Sequence, residues 1–231
     1  MPKSHGIYQC LPKLSYPIQY YALYSGPPIY LQMTTIDIQP VIDVLNRFHP
    51  LDKGPEQYLK KHMTTFSVKR GKLLLKSGEI CNNMYFIKKG VLRGFIKEGQ
   101  KDITTWITVE NEIVAAISSY IFQVPTVENI QAIEDCELFS ISFADLENLY
   151  KKYPSFNIMG RKIAEIYYTY AENRAFITRL RNAENKYRIF LQLYSHLSNR
   201  VSLKYIASFL GMTIETLSRV RKKTFARTEK L

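Results

Sequence analysis

Cysteine and histidine are scarce: the 231 residues hold three Cys (Cys10, Cys81, Cys136) and four His (His5, His49, His62, His196). The cysteines share no paired spacing. That argues against a disulfide framework, a cysteine zinc site or an iron–sulfur cluster, and it suits a reducing cytoplasm. The histidines show no HxxxH or HExxH spacing, so no metal is expected from them. No run reaches the ~18 apolar residues of a membrane span. The apolar stretch "CLPKLSYPIQYYALYSGPPIYLQ" is too broken by Pro and Tyr for a signal-peptide core. GxGxxG, GxSxG and P-loop patterns are missing, as is any Ser/His/Asp or Cys/His grouping. Neither an enzyme nor a cofactor is expected.

Acidic residues are few near the C-terminus. The formal charge is +12, and residues 179–231 carry 12 Lys or Arg against 3 Glu, leaving +3 for residues 1–178. A net +9 in the last quarter points to a polyanionic partner for that region alone. With 46% apolar and 23% charged residues the rest has an ordinary globular composition.

The chain divides by texture. Residues 1–32 hold five of the ten prolines and six of the seventeen tyrosines without a lasting period. They read as a flexible N-terminal extension. Regular pattern begins after Met33, itself a candidate start, with Val41, Ile42, Leu45 and Phe48 at helical spacing. Residues 33–150 then read as a domain rich in short strands. "GKLLLKSGE" closes on Ser77-Gly78, strands fall near residues 85–88, 91–96 and 102–109, and "CELFSIS" alternates. Lys89-Gly90 and Glu98-Gly99 stand where hairpin turns would need a positive φ. Such spacing predicts an antiparallel roll or barrel.

Residues 151–180 read as a long helix. Met159, Ile163, Ile166, Tyr170, Asn173, Ile177 and Leu180 recur at intervals of 4, 3, 4, 3, 4 and 3. A heptad seam with one central Asn predicts a parallel pairing of two copies, because a buried Asn fixes register between chains.

Residues 181–231 end in "VSLKYIASFLGMTIETLSRVRKK". Ser202 is placed to cap a first helix with Leu203, Ile206, Ala207 and Leu210 inward. Gly211 stands at the turn, Thr213 caps a second helix, and Leu217 and Val220 pack back. A small residue, a turn glycine and a sealing leucine at this spacing fit a helix-turn-helix. The second helix would then present Ile214, Glu215, Ser218, Arg219 and Lys222. Arg219 suits guanine, Glu215 a cytosine amine and Ile214 a thymine methyl. Thr213 with the helix start suits phosphate, as do Arg221, Lys223 and Lys204.

The β-roll stretch "SGEICNNMYFIKKGVLRGF", the long helix and "SLKYIASFLGMTIETLSRVRKK" together resemble the cyclic-AMP receptor protein (Crp/Fnr) family of bacterial transcription regulators, over about residues 35–223. The resemblance implies an α+β chain: a cyclic-nucleotide-binding-like β-roll, a dimerisation helix and a winged-helix-like helix-turn-helix domain. It implies a homodimer on two-fold symmetric double-stranded DNA, with RNA polymerase as a further partner. The family's base-contacting positions fall on Ile214, Glu215 and Arg219. Ile214 stands where the best-known members carry Arg, so a different target is expected.

The family's nucleotide cassette, Gly-Glu and later Arg-Ser, falls near Ala115-Ala116 and Thr126-Val127. No Arg occurs between Arg93 and Arg161 and no Lys between Lys101 and Lys151, while residues 102–150 hold nine Asp or Glu. A buried phosphodiester there would lack a cation, so no response to cyclic AMP is expected and the effector stays open. The competing expectation is a cytoplasmic protein-interaction module that binds nucleic acid loosely.

Overall fold

The structure, a computed structural model, describes residues 36–228; the expected extension at residues 1–32 lies outside them. Helix α1 (Gln39–Phe48) buries Val41, Ile42, Val44 and Leu45 on one face, and α2 (Lys53–His62) buries Pro55 and Leu59. Eight strands follow: β1 (Thr64–Val68), β2 (Leu73–Leu75), β3 (Asn83–Lys89), β4 (Leu92–Glu98), β5 (Lys101–Thr108), β6 (Ile113–Val114), β7 (Asn129–Ala132) and β8 (Cys136–Ser142). They form two four-stranded sheets, ordered β1-β8-β3-β6 and β2-β7-β4-β5, with antiparallel pairing throughout. A short helix, α3 (Ile117–Phe122), interrupts the strands between β6 and β7.

One of the two expected hairpin turns is a hairpin. Lys101 pairs with Glu98 across Gly99-Gln100, joining β4 to β5. The other, at Lys89-Gly90, carries the chain from one sheet to the other, since β3 and β4 lie in different sheets. Gly90 has φ +102°, and a Cβ there would meet the Cys136 Sγ at 2.6 Å and the Asp135 carbonyl at 2.8 Å. Only glycine fits a crossing this close to β8.

The remaining helices are α4 (Phe143–Lys152), α5 (Phe156–Arg179), α6 (Ala183–Tyr194), a single 3-10 turn (Ser195–Leu197), α7 (Leu203–Phe209) and α8 (Ile214–Thr228). Ser142 caps α4, accepting from the Asp145 N–H at 3.0 Å, and Asn182 caps α6, accepting from the Asn185 N–H at 3.0 Å. The apolar residues gather in two cores. One lies within the roll and takes in α1, Leu146 and Leu149 of α4, and Phe156 and Met159 of α5. The other takes in Tyr187, Phe190, Leu197, Ile206, Ala207, Leu210, Leu217 and Val220, together with Ile177 of α5 and Val91 and Ile107 of the roll. The C-terminal helices therefore complete their core against the roll. Among the described residues no helix is long and apolar enough to cross a membrane, and no group of three or more His, Cys, Asp or Glu could hold a metal ion.

Candidate functional site

Helices α6, α7 and α8 build the helix-turn-helix. Ser202 stands at the start of α7, but its backbone carbonyl does the capping, accepting from the N–H groups of Tyr205 (3.0 Å) and Ile206 (3.2 Å); the hydroxyl makes no cap. Ile206, Ala207 and Leu210 are buried. Gly211 makes the turn with φ +61°, and its N–H donates to the Ser208 carbonyl at 3.1 Å. The carbonyl of Leu210 accepts from Lys186 Nζ at 2.9 Å. This buried ammonium, its pKa pushed down by desolvation, serves as the cap of α7. Thr213 caps α8 as expected, its Oγ1 accepting from the Thr216 N–H at 3.2 Å.

Leu217 and Val220 of α8 are buried. Thr213, Ile214, Glu215, Arg219 and Lys222 are exposed, as is Lys204 on α7. The start of α8 holds the Glu215 carboxyl below its usual range, through its own backbone N–H and then the Thr213 hydroxyl, so it stands ready as a pure acceptor. Ser218 and Arg221 are half-buried at the edge of this face. Lys223 is exposed but is already paired, its ammonium donating to Glu184 of α6.

Helix α7 lies across the outer face of the second sheet, a placement that sequence reading missed. Ser208 Oγ donates to the Asp102 carbonyl at 3.1 Å and accepts from the Thr104 N–H at 2.9 Å. Arg93, in the middle of β4, is 2% exposed. Its guanidinium donates to Asp102 (2.8 Å), Gln131 (2.9 Å) and Thr104 (3.3 Å), and lies 4.1 Å from the Phe95 ring centroid and 4.0 Å from that of Tyr205. A cation sandwiched between one ring of the roll and one of α7 binds them without losing its hydrogen bonds. At the other end of α7, Arg200 donates to both oxygens of Glu110 (2.8 Å each) and both of Glu134 (3.1 and 2.7 Å). Glu110 Oε1 also accepts from the Gly90 N–H at 2.8 Å. The Arg200 hydrogen bonds, above all, hold the Glu110 carboxyl at about 2. An arginine amid the apolar alternation of "VLRGFI" was the one sequence signal of this interface, since a buried guanidinium requires partners.

The four positions expected around an effector differ in exposure and setting. Ala115 and Ala116 are buried where β6 leads into α3, whereas Val127 is 78% exposed. Thr126 is bound into the neighbouring loop: its carbonyl accepts from the Gly78 N–H at 2.7 Å and its own N–H donates to the Glu79 carbonyl at 2.8 Å. Ile117, Ile121 and Phe122 of α3 point outward. The arginine closest in sequence, Arg93, faces α7 and is held there by its strand neighbours and Tyr205.

The α5 seam divides in three. Met159 is buried in the roll core and Ile177 in the C-terminal core, with Ile163 half-buried against the former. Leu180 lies past the end of the helix. Ile166, Tyr170 and Asn173 remain exposed, with Ile158 and Phe176 beside them. The 4-3 spacing counted intrachain anchors and free positions as one stripe, because over five turns 3.5- and 3.6-residue periods diverge too little to separate them.

Residues 65–153 match the family model of the cyclic nucleotide-binding domain. Among solved structures, the chain is similar to FixK2 from Bradyrhizobium japonicum, at 16% identity, 72% of this chain and 86% of that one covered, and a TM-score of 0.63. It is similar to a mutant of CooA from Carboxydothermus hydrogenoformans at 16% identity, covering 81% and 84%, with a TM-score of 0.62. A protein from Eubacterium rectale described as a transcriptional regulator of the Crp/Fnr family gives 15% identity, 78% and 88% covered, and a TM-score of 0.61. No curated protein matches the sequence.

The Arg200 contact has a pH signature. Because the folded pKa of Glu110 is depressed to about 2, its contribution is complete above the unfolded value of ~4.3 and is lost as pH falls through about 2. Glu110→Gln should destabilise the protein by roughly 1–3 kcal/mol at neutral pH, and the gap to wild type should close between about pH 4.5 and 2. Urea unfolding at a series of pH values checks this. A gap that stays constant down to pH 2 would show that the carboxylate is not held by Arg200.

Proposed function

We propose that the chain is a cytoplasmic, non-enzymatic transcription regulator that binds a two-fold symmetric site on double-stranded DNA as a homodimer, without response to cyclic AMP; the match of residues 65–153 to the cyclic nucleotide-binding domain and the similarity of fold to a Crp/Fnr regulator support this reading. The division of labour follows the expected segments: a roll at residues 33–150, a pairing helix at 151–180 and a DNA reader at 181–231. RNA polymerase is the expected further partner.

One observation carries the reading: α8 buries Leu217 and Val220 and leaves Ile214, Glu215, Arg219 and Lys222 exposed on one face, with the capping Thr213 exposed at its start. A helix of this kind fits the major groove, with Arg219 and Glu215 one turn apart at base edges and Thr213 at a phosphate. Lys222 and Lys204 are free for the DNA backbone, with Arg221 and Ser218 at the rim. Lys223 would have to leave Glu184 to join them, which makes it a weaker candidate than its neighbours. The exposed apolar side chains of α3 favour a second reading, in which the roll docks a protein and the basic end binds nucleic acid loosely.

Selection of bound sequences from random duplexes separates the two, since only the first yields a two-fold symmetric consensus. On the selected operator, Arg219→Ala should remove about 1–3 kcal/mol of discrimination at one position per half-site. Equal weakening on a scrambled duplex would mean that Arg219 touches phosphate alone.

Pairing of two copies is supported by the free stripe of Ile166, Tyr170, Asn173 and Phe176. Ile166→Asp combined with Phe176→Asp should convert a sedimenting dimer to a monomer that keeps its fold, since neither side chain belongs to a core of the chain. Unchanged sedimentation of the double variant would place the pairing elsewhere.

The absence of response to cyclic AMP is supported by Thr126 and Val127 standing where a phosphate-binding Arg-Ser pair would be needed. Titration calorimetry should show no binding at micromolar nucleotide; a micromolar Kd would require a site built from backbone amides.

A further inference from the structure

We propose that the roll takes a direct part in the DNA interface: Lys97, on the β4–β5 hairpin, binds backbone phosphate beside the start of α8. This rests on the reading of α8 as a DNA-reading helix. The geometry begins with the direction of α7. Arg200, just before α7, sits at Glu110 and Glu134; Tyr205 sits over Arg93; Ser208 sits at Thr104 and Asp102. Ascending along the reader therefore means descending along β5, so α7 runs antiparallel to that strand and points at the β4–β5 hairpin. Three residues after Ser208, Gly211 turns the chain into α8.

Strand alternation then decides which hairpin side chain faces this turn. Arg93, Phe95 and Lys97 lie on one face of β4, opposite Ile107, Thr104 and Asp102 of β5. That is the face α7 covers, as Ile107 in the C-terminal core and the Arg93–Tyr205 stack show. Lys97 is the next position along it, level with the last turn of α7, paired with the same Asp102 whose carbonyl holds Ser208. The Asp102 carboxylate is already engaged by Arg93. Lys97 itself is exposed, and among the described residues its side chain makes no ion pair or hydrogen bond. Lys101 and Glu98 pair on the other face of the hairpin, away from α7. One unneutralised ammonium is thus presented beside the first residues of the reading helix, where a duplex in contact with Thr213 and Ile214 brings its phosphates. The partner that fits is the sequence-independent DNA backbone.

The experiment measures binding of the full chain to the selected operator and to a scrambled duplex by fluorescence anisotropy over a series of salt concentrations. Lys97→Ala should weaken both duplexes alike and lower the salt slope by about one unit per protomer. Lys101→Ala, on the opposite face, should leave both unchanged. The hydroxyl-radical footprint of Lys97→Ala should lose protection immediately outside each half-site and keep it within. If Arg219→Ala changes discrimination while Lys97→Ala matches wild type in affinity, slope and footprint, the hairpin contact is overturned and the reading helix stands. If wild type itself shows no preference for any duplex, the DNA reading fails first and the hairpin contact with it.

Discussion

The direction in which α8 points depends on how α7 lies against β5. Backbone, charge and ring contacts all act at this one surface, and each fixes a different degree of freedom. Ser208 sets the register of α7 along the strand through two hydrogen bonds to the β5 backbone. Arg200 joins two separate turns of the roll, the one after β5 and the one before β8, through four charge-assisted hydrogen bonds. The Arg93 guanidinium, held between Phe95 and Tyr205, fixes the height of the helix above the sheet. Since α8 packs on α7 and α6, it inherits this placement. The exposed face of α8 is oriented by the roll as much as by its own domain.

The same surface bears on what the roll binds. A cation inside a β-roll is the natural counterpart of an anionic effector. Here the one arginine of the strands is turned outward and used for docking. On the loop before β7, Thr126 offers no cation, and its backbone closes onto Gly78 and Glu79.

What was legible in the sequence was local. The helix-turn-helix followed from Ala207, Gly211 and Leu217, because the close crossing, the turn and the seal are steric demands within fifteen residues. The strands of the roll were legible from alternation, and the Glu98-Gly99 hairpin from its turn chemistry. The failures were long-range. Val91 and Ile107 fall in expected strands, and nothing in their alternation says that they complete a core with residues about a hundred positions later. Lys89-Gly90 has the composition of a hairpin turn, and only the sheet order shows it to be a crossing. In α5 the apolar spacing could not say which partner each side chain meets. Met159 and Ile177 meet their own chain, and Ile166 does not. The Lys223–Glu184 pair likewise joins residues whose sequence neighbourhoods suggested only solvent or phosphate. Helix α3, six residues without a side-chain cap, left no periodic trace at all.

Helix α5 touches each core with one end, and its two anchors, Met159 and Ile177, are separated by eighteen residues. At 3.6 residues per turn that is five whole turns, so both anchors point the same way across a span of about 27 Å. The helix is therefore phase-locked as well as length-matched. Adding or removing a single residue between the anchors would swing one of them about 100° off its core while changing the span by only ~1.5 Å. A four-residue insertion, nearly one full turn, would restore the phase to within about 40° but leave the far core ~6 Å out of place. The two cores are coupled as gear teeth are, by angle before distance, and α5 is the element of this chain least able to change its length.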